Sequence, residues 1–182
     1  CRRPPSQRQP PQDWLIQSGP QPAAWSVPSG HTAPPVAAAA TQAVADSDLT
    51  LFELQMPFLY WTEFTYEGQA RVRGRPTHSF VLRPPAGYSV PRPGFSGVRV
   101  FIDAQFQAMV QAEELGAKGE VEKSIVPLDL QKVGEQWLAK TIDVRDLRTR
   151  NKTRLTLTAA ATNLTLPAGT FRPENLAAPF PD

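Results

Sequence analysis

From Trp61 onward, apolar and polar residues alternate with a period of two, which is typical of β-strands that bury one face. In RPTHSFVLRP the alternation predicts one face formed by His78, Phe80 and Leu82. In GVRVFIDAQ it predicts a face formed by Val98, Val100 and Ile102. Similar segments follow as far as KTRLTLTAAATNL, with hairpin turns expected at residues 116–119 and 148–152. The pattern therefore predicts an antiparallel meander of about six or seven strands.

The segment SDLTLFELQ (47–55) has a longer period, which predicts a helix. Apolar residues recur at roughly helical spacing at Leu49, Phe52 and Leu54, and at Met56 just after the segment. Ser47 or Asp48 can cap the first amides, and Pro57 ends or bends the helix. The stretch MPFLYW (56–61) then leads from the helix into the sheet. Two of its side chains are expected to plug the sheet, Phe58 and Leu59, and two are expected near the rim, Tyr60 and Trp61.

The N-terminal part of the chain is rich in proline, with nine of the 20 prolines in residues 1–35. Proline removes backbone donors, so extended or loop structure is expected. Only DWLI (13–16) is expected to form structure, as a short edge strand. PVAAAATQAVAD (35–46) is either a helix, by alanine propensity, or a mobile connection. The chain is thus divided into a partly extended or linker segment, 1–46, and a folded domain, 47–182.

Composition limits the class of protein. A chain of 182 residues has the size of one domain, and 41% hydrophobic with 20% charged residues is enough for a core. The net charge of +2 argues against a dedicated nucleic-acid binder. No apolar run reaches the roughly 18 residues that a membrane-spanning helix needs.

The chain has one cysteine, Cys1, which excludes an internal disulfide and a cysteine-based zinc site. Mature bacterial lipoproteins begin with a cysteine that carries the lipid, and a polar tether such as CRRPPSQRQPPQ follows it. Cys1 is therefore either a lipidation site that attaches the protein to a membrane surface, or simply the residue at which this chain begins. The sequence leaves both alternatives open.

The candidate catalytic groups do not form a recognisable site. His31 and His78 are far apart in the sequence and outside any metal or triad spacing. Glutamates at 113 and 114, and at 120 and 122, flank a predicted hairpin, where solvated charges are expected. The sequence predicts no catalytic residue, no metal site, no cofactor and no enzyme activity.

The strongest charge cluster is basic and spans a predicted hairpin turn, with Arg145, Arg148, Arg150, Lys152 and Arg154. Such cations can meet anionic head groups, or they can discourage pairing between sheet edges. Asp143 and Asp146 partly offset the charge, which favours the structural interpretation.

Two blocks of the chain together carry a family resemblance. The first runs from SDLTLFEL through PFLYW to EGQARVRGRPTHSFVLRP, and the second runs from GVRVFIDAQ to TFRPENL. Their motifs are Gly74-Arg75, Ile102-Asp103, Lys118-Gly119, Trp137, Asn151-Lys152-Thr153 and Phe171. Over residues 47–176 the chain resembles the bacterial outer-membrane lipoprotein-sorting family of LolA-like and LolB-like carriers. The order and spacing of the motifs carry the resemblance, since no single motif is specific.

The resemblance implies an α+β fold, in which a curved antiparallel sheet forms an unclosed half-barrel with helices plugging its concave face. It also implies a cavity for lipid or lipoprotein acyl chains, and a location in the periplasm or outer membrane. The implied lining residues of the sheet are Phe80, Leu82, Val98, Val100, Ile102, Ile142, Val144, Leu155 and Leu157. Phe58, Leu59 and Trp61 are implied as part of a lid over the lipid entrance.

The same side chains have a simpler interpretation, because a filled core and a lipid cavity use the same residue types. A filled core makes the protein an envelope scaffold or interaction protein without a ligand. A connected apolar cavity of several hundred Å3 distinguishes a carrier from that alternative.

Overall fold

The structure, a computed structural model, describes residues 11–30, 33–45 and 47–176. Cys1 and His31 lie outside the described residues. The chain divides into two compact units, one made of residues 1–57 with 163–182 and the other made of residues 58–162. The first unit contains a small sheet and one helix, and the second contains a large antiparallel sheet.

The strands of the first unit are β1 (Gln12–Gln17), β2 (Ala23–Pro28) and β3 (Val36–Ala37). They form an antiparallel sheet in the order β1-β2-β3, so the edge strand predicted at DWLI is confirmed. Residues 23–28 are extended, one of the two expected alternatives, but they form a paired strand, β2, where no structure beyond DWLI was expected. Pro22 and Pro28 lie at its boundaries, where a missing amide disturbs the ladder little.

The alanine-rich segment after β3 forms turns over its described residues, 38–45, so the helix alternative is wrong. The carbonyls of Ala40 and Gln42 accept hydrogen bonds from the amides of Phe52 (2.9 Å) and Leu51 (3.1 Å). Both amides belong to the first turn of α1 (Leu51–Gln55), where no intrahelical acceptor exists. The carbonyls of this turn segment therefore complete the start of the helix.

Helix α1 has Thr50 as its N-cap, rather than Ser47 or Asp48 as predicted. The Glu53 carboxylate accepts a hydrogen bond from the Thr50 backbone N–H (2.6 Å), as in a capping box. The spacing Thr-x-x-Glu is visible in the sequence and marks this start better than the earlier residues do. The helix ends before Pro57, as predicted.

The large sheet has seven strands, β4 (Phe64–Val72), β5 (Arg75–Leu82), β6 (Gly97–Asp103), β7 (Met109–Leu115), β8 (Val121–Pro127), β11 (Thr141–Asp146) and β12 (Asn151–Thr156). A separate hairpin of β9 (Leu130–Val133) and β10 (Gln136–Ala139) is inserted between β8 and β11. The order β12-β11-β8-β7-β6-β5-β4 confirms the predicted antiparallel meander.

Cross-strand pairing sorts the side chains of the large sheet onto two faces. A central row crosses five strands and consists of Phe80, Val100, Ala112, Ile125 and Val144. Directly paired residues share a face, so this row defines an apolar face. On the opposite face, Arg99 forms ion pairs with Glu67 (2.7 Å) and Glu113 (3.1 Å).

The large sheet is unclosed, because its edge strands β4 and β12 lie at opposite ends of the strand order. The described residues contain one α-helix, the five residues of α1, rather than the several helices that the resemblance implies. The fold therefore rests mainly on the antiparallel strands. No described helix is long and apolar enough to cross a membrane.

Candidate functional site

A cavity of about 640 Å3 opens at one end of the large sheet. The strands and turns of the sheet contribute Val72, Phe106, Ala108, Met109, Val110 and Pro127. The segment that leads into the β9–β10 hairpin, and the hairpin itself, add Leu128, Leu130 and Trp137. Three charged residues complete the lining, Arg73, Arg75 and Asp103. The cavity is thus mainly apolar, with charge confined to a few side chains.

The β9–β10 hairpin forms one wall of the cavity, because its strands leave the large sheet after Pro127. Leu130 pairs with Ala139 and Trp137 pairs with Lys132, so Leu130 and Trp137 lie on the same face of the hairpin. Leu130 is 56% exposed and Trp137 is 65% exposed. Both side chains therefore leave apolar surface uncovered at the cavity.

Asp103 organises the β6–β7 turn at the cavity rim. Its buried carboxylate accepts hydrogen bonds from the backbone N–H groups of Gln105 (2.9 Å) and Phe106 (3.0 Å). It also forms an ion pair with Arg75 (3.0 Å). The N–H of Phe106, followed by the Arg75 guanidinium, holds the pKa of Asp103 below its ordinary value. Arg75 lies over the Phe106 ring, 5.7 Å from its centroid, so the turn fixes an exposed aromatic ring at the rim.

Arg73 is the second cation of the cavity lining, and its surroundings differ from those of Arg75. The Arg73 guanidinium donates a hydrogen bond to the Pro127 carbonyl, 3.4 Å away. Arg73 and Gly74 have φ values of 51° and 82°, the two positive values of a type I′ hairpin turn. Within the described part of the chain, no carboxylate forms an ion pair with Arg73, whereas Asp103 neutralises Arg75.

The lining residues predicted from the sequence lie elsewhere on the sheet, and none of the twelve is among the residues that line this cavity. Cross-strand pairing does bring six of them together on the apolar face, Phe80 with Val100, Leu82 with Val98, and Ile142 with Leu155. Four of the twelve are at most 2% exposed, namely Phe58, Val98, Val100 and Val144. Intermediate burial is found for Phe80, Leu82, Ile102 and Ile142. The two at the β12 end are more than one third exposed, Leu155 and Leu157.

Two of these residues adjoin the cavity through strand pairing. Ile102 pairs with Met109, and Ile142 pairs with Pro127. Met109 and Pro127 both line the cavity. The apolar face and the cavity wall are therefore continuous along the strands.

The stretch MPFLYW forms a 3₁₀ turn over residues 57–60. Side chains three residues apart eclipse in such a turn. Accordingly, Phe58 and Trp61 are 0% and 9% exposed, whereas Leu59 and Tyr60 are 50% and 47% exposed. Phe58 is buried, and its expected role as a plug stays a prediction, whereas the expected plug at Leu59 and the rim position of Trp61 are wrong. The Trp61 ring packs edge-on against Phe58, with 6.5 Å between the centroids.

At the opposite end of the large sheet, six charged side chains form what we call the ionic cluster: Arg92, Glu114, Glu122, Lys123, Asp146 and Arg148. Arg92 forms ion pairs with both glutamates of the cluster. Glu114 is cross-strand partner to Lys123, and Lys123 is partner to Asp146. These three residues are 0%, 5% and 1% exposed. The cluster thus contains three acids and three bases, of which Arg148 keeps 48% of its side chain exposed.

Burial disfavours the charge on Asp146, but hydrogen bonds outweigh this effect. The Arg148 side chain and the backbone N–H groups of Thr149 and Arg148 donate to its carboxylate, which leaves the pKa of Asp146 below its ordinary value. The expectation that Glu114 is solvated is wrong, because it shares the apolar face with Ala112. The alternation along β7 places Glu114 on the same face as Ala112, so its burial could be read from the sequence. Its partner Arg92 could not, because it lies in a loop distant in the sequence.

The predicted basic hairpin is partly neutralised, as the structural interpretation requires. Asp143 forms ion pairs with Arg154 (2.6 Å) and Lys152 (2.6 Å), and Asp146 pairs with Arg148 (3.0 Å). The Arg154 guanidinium, and then the Lys152 ammonium, hold the pKa of Asp143 well below its ordinary range.

His78 lies on the apolar face, where its Nδ1 is 2.9 Å from the Tyr66 hydroxyl. Its ring also stacks at a tilt on the Tyr66 ring, with centroids 5.8 Å apart. In the part of the chain that the structure describes, no three His, Cys, Asp or Glu side chains form a metal-binding group.

Three solved structures have a similar fold. A DUF1329 family protein from Desulfovibrio piger matches 88% of this chain and 68% of its own, with a TM-score of 0.71 and 15% identity. A domain named for outer membrane lipoprotein sorting, from Vibrio parahaemolyticus, matches 90% of this chain and 70% of its own, with a TM-score of 0.68 and 16% identity. A LolA superfamily protein from Nitrosomonas europaea matches 83% and 70%, with a TM-score of 0.56 and 13% identity. At these identities the likeness establishes the fold alone, and it confirms the LolA-like resemblance at that level.

No curated protein sequence matches the chain. A family model described as "Uncharacterized protein" matches residues 32–178. This match covers most of the described strands, including the whole large sheet and the cavity lining. The chain belongs to the family that this model describes, and its sheet has the LolA-like fold.

Proposed function

We propose that this protein binds an acyl chain of a lipid or lipoprotein in the bacterial cell envelope, without catalysing a reaction on it. The observation that carries the proposal is the open, mainly apolar cavity at the end of the large sheet. Its volume of about 640 Å3 falls within the range of roughly 300–1,000 Å3 that small-molecule sites occupy. Each methylene group buried there contributes about 0.8 kcal/mol to binding.

The predicted lining residues take part in this proposal as an extension of the cavity. Ile102 and Ile142 continue its wall through their partners Met109 and Pro127. Beyond them, Leu155 keeps part of its side chain exposed on the same face. An acyl chain longer than the cavity therefore has apolar surface to follow along the sheet.

The location in the periplasm or outer membrane is supported by the name of one similar structure, a domain of outer membrane lipoprotein sorting. A lipid on Cys1, which lies outside the described residues, would hold the cavity near a membrane surface. Lipidation of Cys1 and acyl binding in the cavity are independent, since a ligand can bind in the cavity of a protein that has no anchor.

A second candidate is an envelope scaffold with a filled core and no ligand. The central row favours it, because Val100, Ile125 and Val144 are at most 2% exposed. The middle of the apolar face is therefore closed to a ligand in this conformation. The two candidates differ in whether the cavity is occupied in the cell.

Native mass spectrometry of the protein purified from a bacterial envelope, before and after delipidation, tests the proposal. The expected result is a non-covalent mass excess that disappears on delipidation and returns with added phospholipid or acylated peptide. A covalent excess at Cys1 establishes only the anchor. A protein that stays bare in excess lipid overturns the acyl-binding proposal and leaves the scaffold.

A variant that fills the cavity links this binding to the site. Ala108 lines the cavity and lies in the β6–β7 turn, so Ala108→Trp is expected to abolish the returned mass excess. Ala104 lies in the same turn outside the lining, and Ala104→Trp is the matched control. Equal binding by both variants would place the ligand elsewhere.

A further inference from the structure

The backbone at Arg73 is unusual for its residue type. The β4–β5 connection is a two-residue turn, and both of its residues have positive φ, 51° at Arg73 and 82° at Gly74. Asn, Asp and Gly are the usual residues at the first of these positions, because other side chains are strained there. An observed strained residue in a cavity lining is a reason to look for a function of its side chain. Here the strained residue is Arg73, whose guanidinium lies in the cavity lining.

The charges of the cavity lining leave one cation in excess. Arg75 and Asp103 form an ion pair at 3.0 Å, so their charges cancel. Arg73 is exposed, it forms no ion pair among the described residues, and its guanidinium donates to a neutral acceptor, the carbonyl of Pro127. An anion that enters the cavity mouth therefore meets one positive charge, on Arg73. Its hydrogen bond to the neutral carbonyl is weaker than one to an anion would be.

The size of the cavity limits the apolar part of the ligand. A cavity of about 150 Å3 holds one benzene molecule, which corresponds to about 25 Å3 per carbon atom. On this scale, about 640 Å3 accommodates roughly 25 carbon atoms. This is enough for one long acyl chain with its head group, and it is too small for several such chains.

We propose that the cavity takes one acyl chain that ends in an anionic head group, with the carboxylate or phosphate of the ligand bound by Arg73. This inference rests on the proposed function and narrows it to a ligand class. A free fatty acid and an anionic lysophospholipid share the required chemistry. Arg73 is then a specificity-determining residue, and the apolar lining supplies most of the affinity.

Isothermal titration calorimetry of the delipidated full chain, with ligands that share a dodecanoyl chain, tests the inference. The anionic ligands are dodecanoate and dodecanoyl-lysophosphatidylglycerol, which also distinguish the two sources. The comparison ligands are monododecanoylglycerol, which is uncharged, and dodecanoyl-lysophosphatidylcholine, whose phosphate is already neutralised by its own choline cation. We expect the anionic ligands to bind about fivefold more tightly, as one cation near an anionic group provides. Diacyl phosphatidylglycerol, with two such chains, is expected to bind more weakly than the single-chain form.

Arg73→Asn removes the cation and relieves the strain, so misfolding does not complicate the result. This variant is expected to bind all four single-chain ligands equally, and Arg73→Lys is expected to retain most of the preference. Arg71 lies on the same hairpin outside the lining, so Arg71→Asn is the control and should keep the full preference.

The outcomes separate the inference from the proposed function. Equal binding of charged and neutral ligands by the unmodified protein overturns the role of Arg73 but leaves acyl binding intact. Tighter binding of the diacyl lipid overturns the limit of one chain. Failure of every ligand to bind overturns the proposed function and the inference together.

Discussion

The two ends of the large sheet bury different kinds of surface, although the same strands connect them. Strand β7 begins at Met109 in the cavity wall and reaches Glu114 in the ionic cluster. Strand β8 runs the other way, from Glu122 in the cluster to Pro127 at the cavity. One end is closed by buried charges, and the other is open and mainly apolar.

This difference separates stability from binding. Buried ion pairs need fixed geometry, because separation leaves a charge without compensation in a region of low dielectric constant. The ionic cluster therefore resists opening. At the cavity end the wall is mainly apolar, and Arg73 is held by a hydrogen bond to the end of β8, at the Pro127 carbonyl. Because the central row between the two ends is closed, we expect a change at one end to leave the other unaffected.

The largest effect is expected at the ionic cluster. Glu114→Ala should lower the free energy of unfolding by about 3–5 kcal/mol, because the buried cations Arg92 and Lys123 lose a compensating charge. Urea denaturation at neutral pH measures the change. The control is Glu135→Ala, whose side chain is 91% exposed and whose loss should cost within about 0.5 kcal/mol. The folded fraction of Glu114→Ala should bind an acyl ligand with unchanged affinity. A loss of affinity would show that the ionic cluster and the cavity are coupled.

The next effect compares the central row with the cavity wall. Ile125 is fully buried, so Ile125→Ala should lower the free energy of unfolding by about 2–5 kcal/mol. Met109 is only partly buried at the open cavity, so Met109→Ala should cost about 1 kcal/mol or less. Ligand affinity should show the reverse order, with the greater loss at Met109. If Ile125→Ala weakens binding more than Met109→Ala does, the central row belongs to the site.

The strands were the part of the molecule that the sequence could predict. Period-two alternation identifies β5 and β6 as strands, although in β5 the buried side chains are Thr77, Ser79 and Val81 rather than those of the predicted face. Their pairing follows from short turns, since an antiparallel meander leaves little choice of neighbour. The start of α1 was also readable, from Thr50 and Glu53, although Ser47 and Asp48 resemble caps in isolation.

The cavity and the ionic cluster could not be predicted, because both depend on residues far apart in the chain. Arg92 meets Glu114 across 22 positions, and Arg73 meets Pro127 across 54. The alternation gives the face on which a residue lies, but it does not say which part of that face is covered. Val100 and Ile102 belong to the same predicted stripe, yet Val100 is buried in the central row and Ile102 adjoins the cavity wall.

A smaller effect, of opposite sign, is expected at Arg73. Replacement by Asn should raise the free energy of unfolding by about 0.5–1 kcal/mol, because Asn tolerates the positive φ of 51° better than Arg does. Arg71→Asn on strand β4 should leave stability unchanged or lower it, since Asn is unfavourable in strands. Urea midpoints of both variants check the difference. If Arg73→Asn is at least as stable as the unmodified protein and has a weaker anion preference, the strained Arg73 serves binding rather than stability. If the variant is less stable, Arg73 stabilises the fold instead.

The smallest effect is expected from the rim carboxylate Asp103. Hydrogen bonds from the Phe106 amide and then Arg75 lower its pKa in the folded protein, so its stabilising contribution is present above the unfolded value of about 3.9. That contribution is lost as the pH falls through the folded pKa, when the carboxylate takes up a proton. Asp103→Asn should therefore be slightly less stable at neutral pH, and its urea midpoint should fall less steeply below about pH 4 than that of the unmodified protein. Because Asp146 remains at the other end with its own lowered pKa, part of the acid sensitivity should persist in this variant. Identical pH slopes for the two proteins would mean that the rim turn contributes nothing to acid sensitivity and that the cluster end supplies all of it.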